Sequence, residues 1–120
     1  DNPISAATGV NRYAFAFANA GVAMSSGENS NRYLLCPRAA TIKNLYVLAF
    51  TAPAAGQPLV ITVRKVSADT TLTCTIAGGG TTANDTVNSF SIAAGDKLSV
   101  KVYSASVQDN LVPLLITFEM

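Results

Sequence analysis

The 120 residues are enough for one domain with a real core, since a globule of this size hides roughly two thirds of the surface its unfolded chain exposes. Hydrophobic residues make up 49% and charged residues 12%, about half the charged share of an ordinary soluble domain, which leaves much of the exterior open to protein contacts. The net charge is +1 and the 8 basic residues are scattered, so no stripe follows a phosphate backbone, and no apolar run approaches the roughly 20 residues of a membrane-spanning helix. Neither nucleic acid nor membrane insertion is expected, and the mature chain reads as soluble.

The first residue is Asp1 rather than Met, consistent with processing, trimming or an arbitrary boundary; secretion and prohead-type maturation both fit. Residues 1–10 (DNPISAATGV) are small, polar and without period, and read as an N-terminal arm able to reach a neighbouring subunit. Residues 11–120 read as the folded domain. From Arg12, Tyr13, Phe15 and Phe17 alternate with Ala14, Ala16 and Ala18, the period of a strand with a large-residue face turned to the core. Asn19 to Gly21 reads as a turn, Val22 to Met24 as a short edge strand, Ser25 to Ser30 as a polar loop, and Arg32 to Cys36 as a strand ended by Pro37.

Ile42 to Thr51 is the most informative segment. From Leu45 onward Leu45, Val47 and Ala49 line one face and Tyr46, Leu48 and Phe50 the other, so both faces call for cover. After the Pro/Gly loop Ala52 to Pro58, Leu59 to Val66 forms a strand, Ser67 to Thr70 a turn, and Thr71 to Ile76 a half-exposed hairpin strand with Leu72, Cys74 and Ile76 inward. Ala77 to Asp85 reads as a flexible glycine-rich loop, with Ala77 to Thr81 as a hairpin loop, Thr86 to Ile92 as a strand, and Ala93 to Asp96 as a tight turn. Lys97 to Tyr103 then places Leu98, Val100 and Val102 inward and Lys97, Ser99 and Lys101 outward. Ser104 to Asn110 is polar loop. The last strand, Leu111 to Met120, sets Leu114, Ile116 and Phe118 against Leu115, Thr117 and Glu119. The expectation is an all-β fold, a single jelly-roll-like antiparallel β-sandwich of about eight strands.

Chemistry is poorly provided for. The chain has 0 histidines, which removes the usual general base, both common nucleophile triads and the commonest metal ligand. Cys36 and Cys74 lack a Cys-x-x-Cys spacing and read as buried thiols or one disulfide, with buried free thiols favoured. The 7 carboxylates are spread one per loop or terminus, so a carboxylate pair would require distant loops to converge; they read as turn caps. Oxygen ligands at Asn84-Asp85 or Gln108 to Asn110 suit calcium, yet no EF-hand spacing is present. Ala77 to Thr81 lacks the lysine of a phosphate loop, and Asn84-Asp-Thr86 is a short match to a glycosylation acceptor. No catalytic, cofactor or metal residue is assigned, and no enzyme activity is expected.

What remains is packing. A two-layer sandwich buries one face per strand, whereas Tyr46, Leu48, Phe50 and Leu115 make a second apolar face. Of a covering loop and a covering subunit, the subunit is favoured, because long loops are few and interface cores are rich in aromatics.

Ala40 to Tyr103 resembles a β-sandwich family common in phage and phage-like structural proteins, and more loosely the trimeric heads of the tumour-necrosis-factor and complement kind. The resemblance is carried by AATIKNLYVLAFTAPAAG (Ala39 to Gly56), VITVRKVSADTTLTCTIAG (Val60 to Gly78) and NSFSIAAGDKLSVKVYSAS (Asn88 to Ser106). It implies a virion role in capsid decoration, coat or tail, commonly as a homotrimer in contact with other virion or surface-assembly proteins, and no catalytic residues. The rival readings are an extracellular carbohydrate-binding or adhesive module, and a filament subunit that pairs through its arm or last strand. The absence of tryptophan and the placement of all 4 tyrosines in expected strands weigh against sugar binding.

Overall fold

The computed structural model describes residues 3–4, 10–14, 33–104 and 112–120. Nine strands are seen among them: β1 Pro3–Ile4, β2 Val10–Ala14, β3 Leu34–Leu35, β4 Ala40–Ala49, β5 Leu59–Lys65, β6 Ala68–Ile76, β7 Thr82–Ile92, β8 Lys97–Ser104 and β9 Val112–Glu119. They form two antiparallel sheets, one ordered β1-β9-β4-β7 and the other β2-β8-β5-β6, with β3 also on β8 beyond β2. Successive strands change sheets at every step except β2 to β3 and β5 to β6, and this interleaving is that of a jelly roll. Phe15, Phe17, the turn at 19–21, the strand at 22–24 and the loops at 25–30 and 105–110 lie outside the described residues, as does the Tyr13 side chain. Within the segment read as an arm, Pro3 and Ile4 pair with Pro113 and Val112 of the same chain.

The core sits between the sheets and is built from the alternation read in the sequence. Leu45, Val47 and Ala49 from β4 meet Leu59, Ile61 and Val63 from β5, Leu72, Cys74 and Ile76 from β6, Leu98, Val100 and Val102 from β8, and Leu114 and Ile116 from β9, all buried. The two thiols are free and buried.

Three irregularities set which residues face inward. In β4, Asn44 takes a left-handed φ of 53° and is the extra residue of a bulge against β9, where the register slips between Lys43 and Tyr46. Ile42 and Leu45, three apart, are therefore both fully buried. In β6 the register against β5 slips between Thr62 and Arg64, and the Thr70 hydroxyl donates to the Val63 carbonyl at 2.7 Å. In β7 the register against β4 slips between Lys43 and Leu45, leaving Thr86 to Asn88 between the paired Asp85 and Ser89.

Two turns differ from expectation. The β5–β6 hairpin closes at Val66-Ser67, with φ of 47° and 64°, and β6 already begins at Ala68. Two central residues with positive φ make the primed turn whose twist suits a two-residue hairpin. Neither residue advertises that conformation, which is why the sequence points to Ser67 to Thr70 instead. Ala77 to Thr81 is no hairpin loop, because β6 and β7 lie in different sheets. It carries the chain across the end of the sandwich, held by Gly79 N–H donating to Pro53 C=O at 2.8 Å. A Cβ on Gly78 would stand 2.6 Å from the backbone of Ala54 and Gly56, so a close approach of two backbones fixes glycine there.

A β-branched residue in the left-handed region is strained, and Val66 is exposed with only its backbone engaged, its N–H donating to Lys97 C=O at 2.8 Å. Val66→Asn is expected to stabilise the fold by about 1 kcal/mol, read as a higher urea midpoint with an unchanged slope. An unchanged or lower midpoint would show that Val66 carries no strain.

Candidate functional site: an apolar sheet face

Each carboxylate in the described strands has structural work. Asp69 and Asp85 lie in β6 and β7 rather than in loops, a correction to the one-per-loop reading that follows from where the hairpin and the sheet crossing fall. Asp85 is 7% exposed and accepts four hydrogen bonds. Thr73 N–H of β6 donates to it at 3.1 Å, Val87 N–H at 3.1 Å, Asn88 N–H at 3.0 Å and the Asn88 amide at 2.9 Å. Burial alone would raise its pKa, but these donors outweigh it and hold the carboxyl below its ordinary value. Both oxygens of Asp85 accept from N–H groups, which makes this carboxylate the staple of the β7 bulge.

Asp69 takes ion pairs from Arg64 and Lys101 on the outer face of the second sheet. Partial burial works against the charge there, and the two cations more than compensate, so its pKa is also lowered. Ser99, directly opposite Arg64 in register, shares this outward face with it as read from the sequence, yet is 0% exposed. Asp96 accepts from Ala93 N–H at 2.8 Å and caps the turn into β8, as a carboxylate in a tight turn does.

The thiols are equally committed. Burial, with Asp85 adding to it, pushes Cys74 up to about 11, and burial with Asp96 raises Cys36. Both are protonated at neutral pH and so are weak nucleophiles. Among the described residues no group of three or more acidic, cysteine or histidine side chains could hold a metal.

The outer face of β4 and β9 is different. Tyr46 is 52% exposed, Phe50 56% and Leu115 42%, with Leu48 half-buried. Register brings Tyr46, Leu48 and Leu115 together: Leu48 opposes Leu115 of β9, and Tyr46 opposes Thr117 of β9 and Asn84 of β7. Phe50 follows the end of β4 at Ala49. A shallow groove of about 200 Å³ runs between Tyr46, Leu48 and Leu115 with Thr82, Asn84 and Thr117 along its sides. Thr117 shares the Leu115 face by simple alternation, but that Thr82 and Asn84 flank Tyr46 and Leu48 is not legible in the sequence, because only strand register reveals which residues stand beside a given side chain. Lys43 and Asn44 meet Glu119 at one end of this face, at 3.6 and 2.7 Å.

No protein-family model, curated protein or solved structure matches the chain. Function is therefore read from its own residues.

A carboxylate whose folded pKa is depressed contributes stability that is complete above its unfolded value, about 3.9 for aspartate, and is lost as pH falls through the folded value. Asp85 and Asp69 both have this sign. Asp85→Asn keeps the shape but turns an amide toward N–H donors, and should cost about 2–4 kcal/mol at neutral pH. The cost should shrink as pH falls below about 4, measured by urea unfolding across pH. A cost that stays constant down to acid pH would show that the charge of Asp85 is not what stabilises.

Proposed function

We propose that this protein is a non-enzymatic structural subunit of a virion, a capsid-decoration, coat or tail component, that works through contacts between subunits. The observation that carries the reading is the exposed apolar face of β4 and β9, where Tyr46, Leu48 and Leu115 stand on the outside of a sheet whose other face already fills the core, with the exposed Phe50 just past the end of β4. Burying large apolar side chains of this kind stabilises by about 1.5–3 kcal/mol each, and an aromatic at the centre of an apolar patch is the usual anchor of a protein contact. Low overall charge, the jelly-roll order of the strands and the resemblance of Ala40 to Tyr103 to phage structural β-sandwiches support the same reading. The subunit acts as a homo-oligomer, with the trimer implied by that resemblance as its expected form.

A carbohydrate-binding or adhesive role is the second reading. It is favoured by one observation: Tyr46 stands exposed in the groove beside Asn84, Thr82 and Thr117, an aromatic ring with polar side chains around it.

Light scattering on the purified chain separates the two. A discrete oligomer is expected, and Tyr46→Asp/Leu48→Asp should reduce it to monomers that keep the β-sheet circular dichroism spectrum. A monomer at all concentrations, unaffected by the double substitution, would overturn the subunit reading in favour of the binding module.

A further inference from the structure

Several polar side chains on the strands are engaged by a neighbour. Thr62 and Thr73 share a hydrogen bond at 3.0 Å, the Thr71 hydroxyl donates to Ser89 C=O at 3.2 Å, the Asn88 amide donates to Asp85 at 2.9 Å and the Asn44 amide to Glu119 at 2.7 Å. Around the exposed Tyr46 the pattern is different. Thr82, Asn84 and Thr117 line the groove there and make no side-chain hydrogen bond among the described residues.

Register fixes how they stand. Asn84 of β7 and Thr117 of β9 lie directly opposite Tyr46, one on either side, while Thr82 and Leu115 flank Leu48 two residues further along β4. Neighbouring strands are about 4.8 Å apart, so the backbones of Asn84 and Thr117 are separated by about 10 Å, with Tyr46 between them. A threonine hydroxyl and an asparagine amide each donate and accept. The result is an aromatic platform with a two-way hydrogen-bonding group at each side and an aliphatic floor beside it.

The chemistry of an occupant follows by exclusion. The groove holds no carboxylate, ammonium or guanidinium group among its described residues, and Lys43 and Glu119 at one end of the face are paired with each other at 3.6 Å. A charged ligand would lose water there with no opposite charge to meet it. A peptide strand could not add to the main chain beneath, because β4 is bonded to β7 along one edge and to β9 along the other. A purely aliphatic ligand would cover Asn84 and Thr117 without answering their donors and acceptors. What suits the groove is a small uncharged ring with an apolar face and hydroxyls around its rim. The volume of about 200 Å³ is below the roughly 300–1,000 Å³ of sites for drug-sized ligands, which limits the occupant to a single ring.

Resting on the second reading of this face, as a binding module, we infer that the groove takes one neutral hexose ring of a glycan. The apolar face of the sugar lies against Tyr46, hydroxyls on opposite sides of its rim meet Asn84 and Thr117, and its exocyclic carbon points toward Leu48 and Leu115. The Tyr46 ring carries the strength of the contact, and the two polar side chains select for hydroxyls.

The test is a titration of the isotope-labelled chain with the methyl glycosides of glucose, galactose and mannose, followed by amide chemical shifts. With about twelve non-hydrogen atoms at the efficiency of an ordinary ligand, a hexoside should bind with a Kd on the order of millimolar. At least one should give saturable shifts at Tyr46, Asn84 and Thr117. Tyr46→Ala should weaken binding on the order of tenfold or more, and Tyr46→Phe should bind within about threefold of the native chain, since the ring and not its hydroxyl is the platform. Asn84→Ala should cost about threefold or more. Both positions are exposed, and a native-like amide spectrum shows that each variant is folded. Glucose 6-phosphate should bind no more tightly than methyl glucoside, and cyclohexanol, a ring of similar size with one hydroxyl, should bind at least about threefold more weakly. Saturation that survives Tyr46→Ala unchanged would overturn the inference. If no hexoside moves these amides and cyclohexanol saturates them, the hexose is wrong and the binding-module reading stands. If neither moves them, both fall.

Discussion

Asp85 ties together two strand edges that no backbone ladder could join. Among the described residues β6 ends one sheet and β7 the other, so no strand pairs with the outer edge of either. The carboxylate reaches from β7 to Thr73 N–H of β6 while also taking the N–H groups of Val87 and Asn88 that the bulge leaves without ladder partners. Hydrogen bonds to a charged group are worth about 1.5–3 kcal/mol each, and one buried carboxylate here accepts from N–H groups on two strands at once. The bulge, the charge of Asp85 and the closure of the sandwich on this side form one arrangement. The glycine at position 78, where two backbones meet too closely for a Cβ, is what lets the chain turn from β6 into β7 to make it.

The same logic divides the outer surfaces. On the second sheet Arg64, Asp69 and Lys101 satisfy one another, and Thr62 and Thr73 pair their hydroxyls at 3.0 Å. That face is polar, largely covered and internally satisfied. On the first sheet the corresponding positions of β4 and β9 carry Tyr46, Leu48 and Leu115, which satisfy nothing within the described chain. The difference is not one of total hydrophobicity, since both sheets contribute aliphatic side chains to the shared core. It lies in which outward positions received charges.

Strands with uninterrupted alternation were legible from the residues alone. Leu72, Cys74 and Ile76 against three threonines, and Leu98, Val100 and Val102 in β8, face where period two places them. Leu45 to Ala49 was equally plain, and with it the second apolar face, because both alternating sets are apolar there. The features that escaped depend on partners remote in sequence. A bulge is defined by the strand opposite it, so nothing local distinguishes Thr86 to Asn88 from ordinary strand. Asp69 reads as a turn residue until the hairpin is seen to close two residues earlier, which sets it opposite Arg64 and near Lys101. The turn at Val66-Ser67 was hidden because its sequence contradicts its backbone, a local preference overridden by the pairing of β5 with β6. Asn44 did offer a signal, as asparagine tolerates the left-handed conformation, yet only the burial of both Ile42 and Leu45 gives that signal meaning.

The register of β4 and β9 decides what a contact on this face would meet. Leu48 stands against Leu115 and Tyr46 against Thr117, so a surface laid over one of these side chains also covers its neighbour on the facing strand. The main-chain groups between the two strands are already spent on their shared ladder, and covering the face therefore dehydrates apolar side chains without stranding those donors and acceptors, which would be costly. The polar groups that such a contact would have to satisfy are the side chains of Thr82, Asn84 and Thr117 along the groove. A face of this kind sets its selectivity at the groove walls and its strength at Tyr46 and the two leucines.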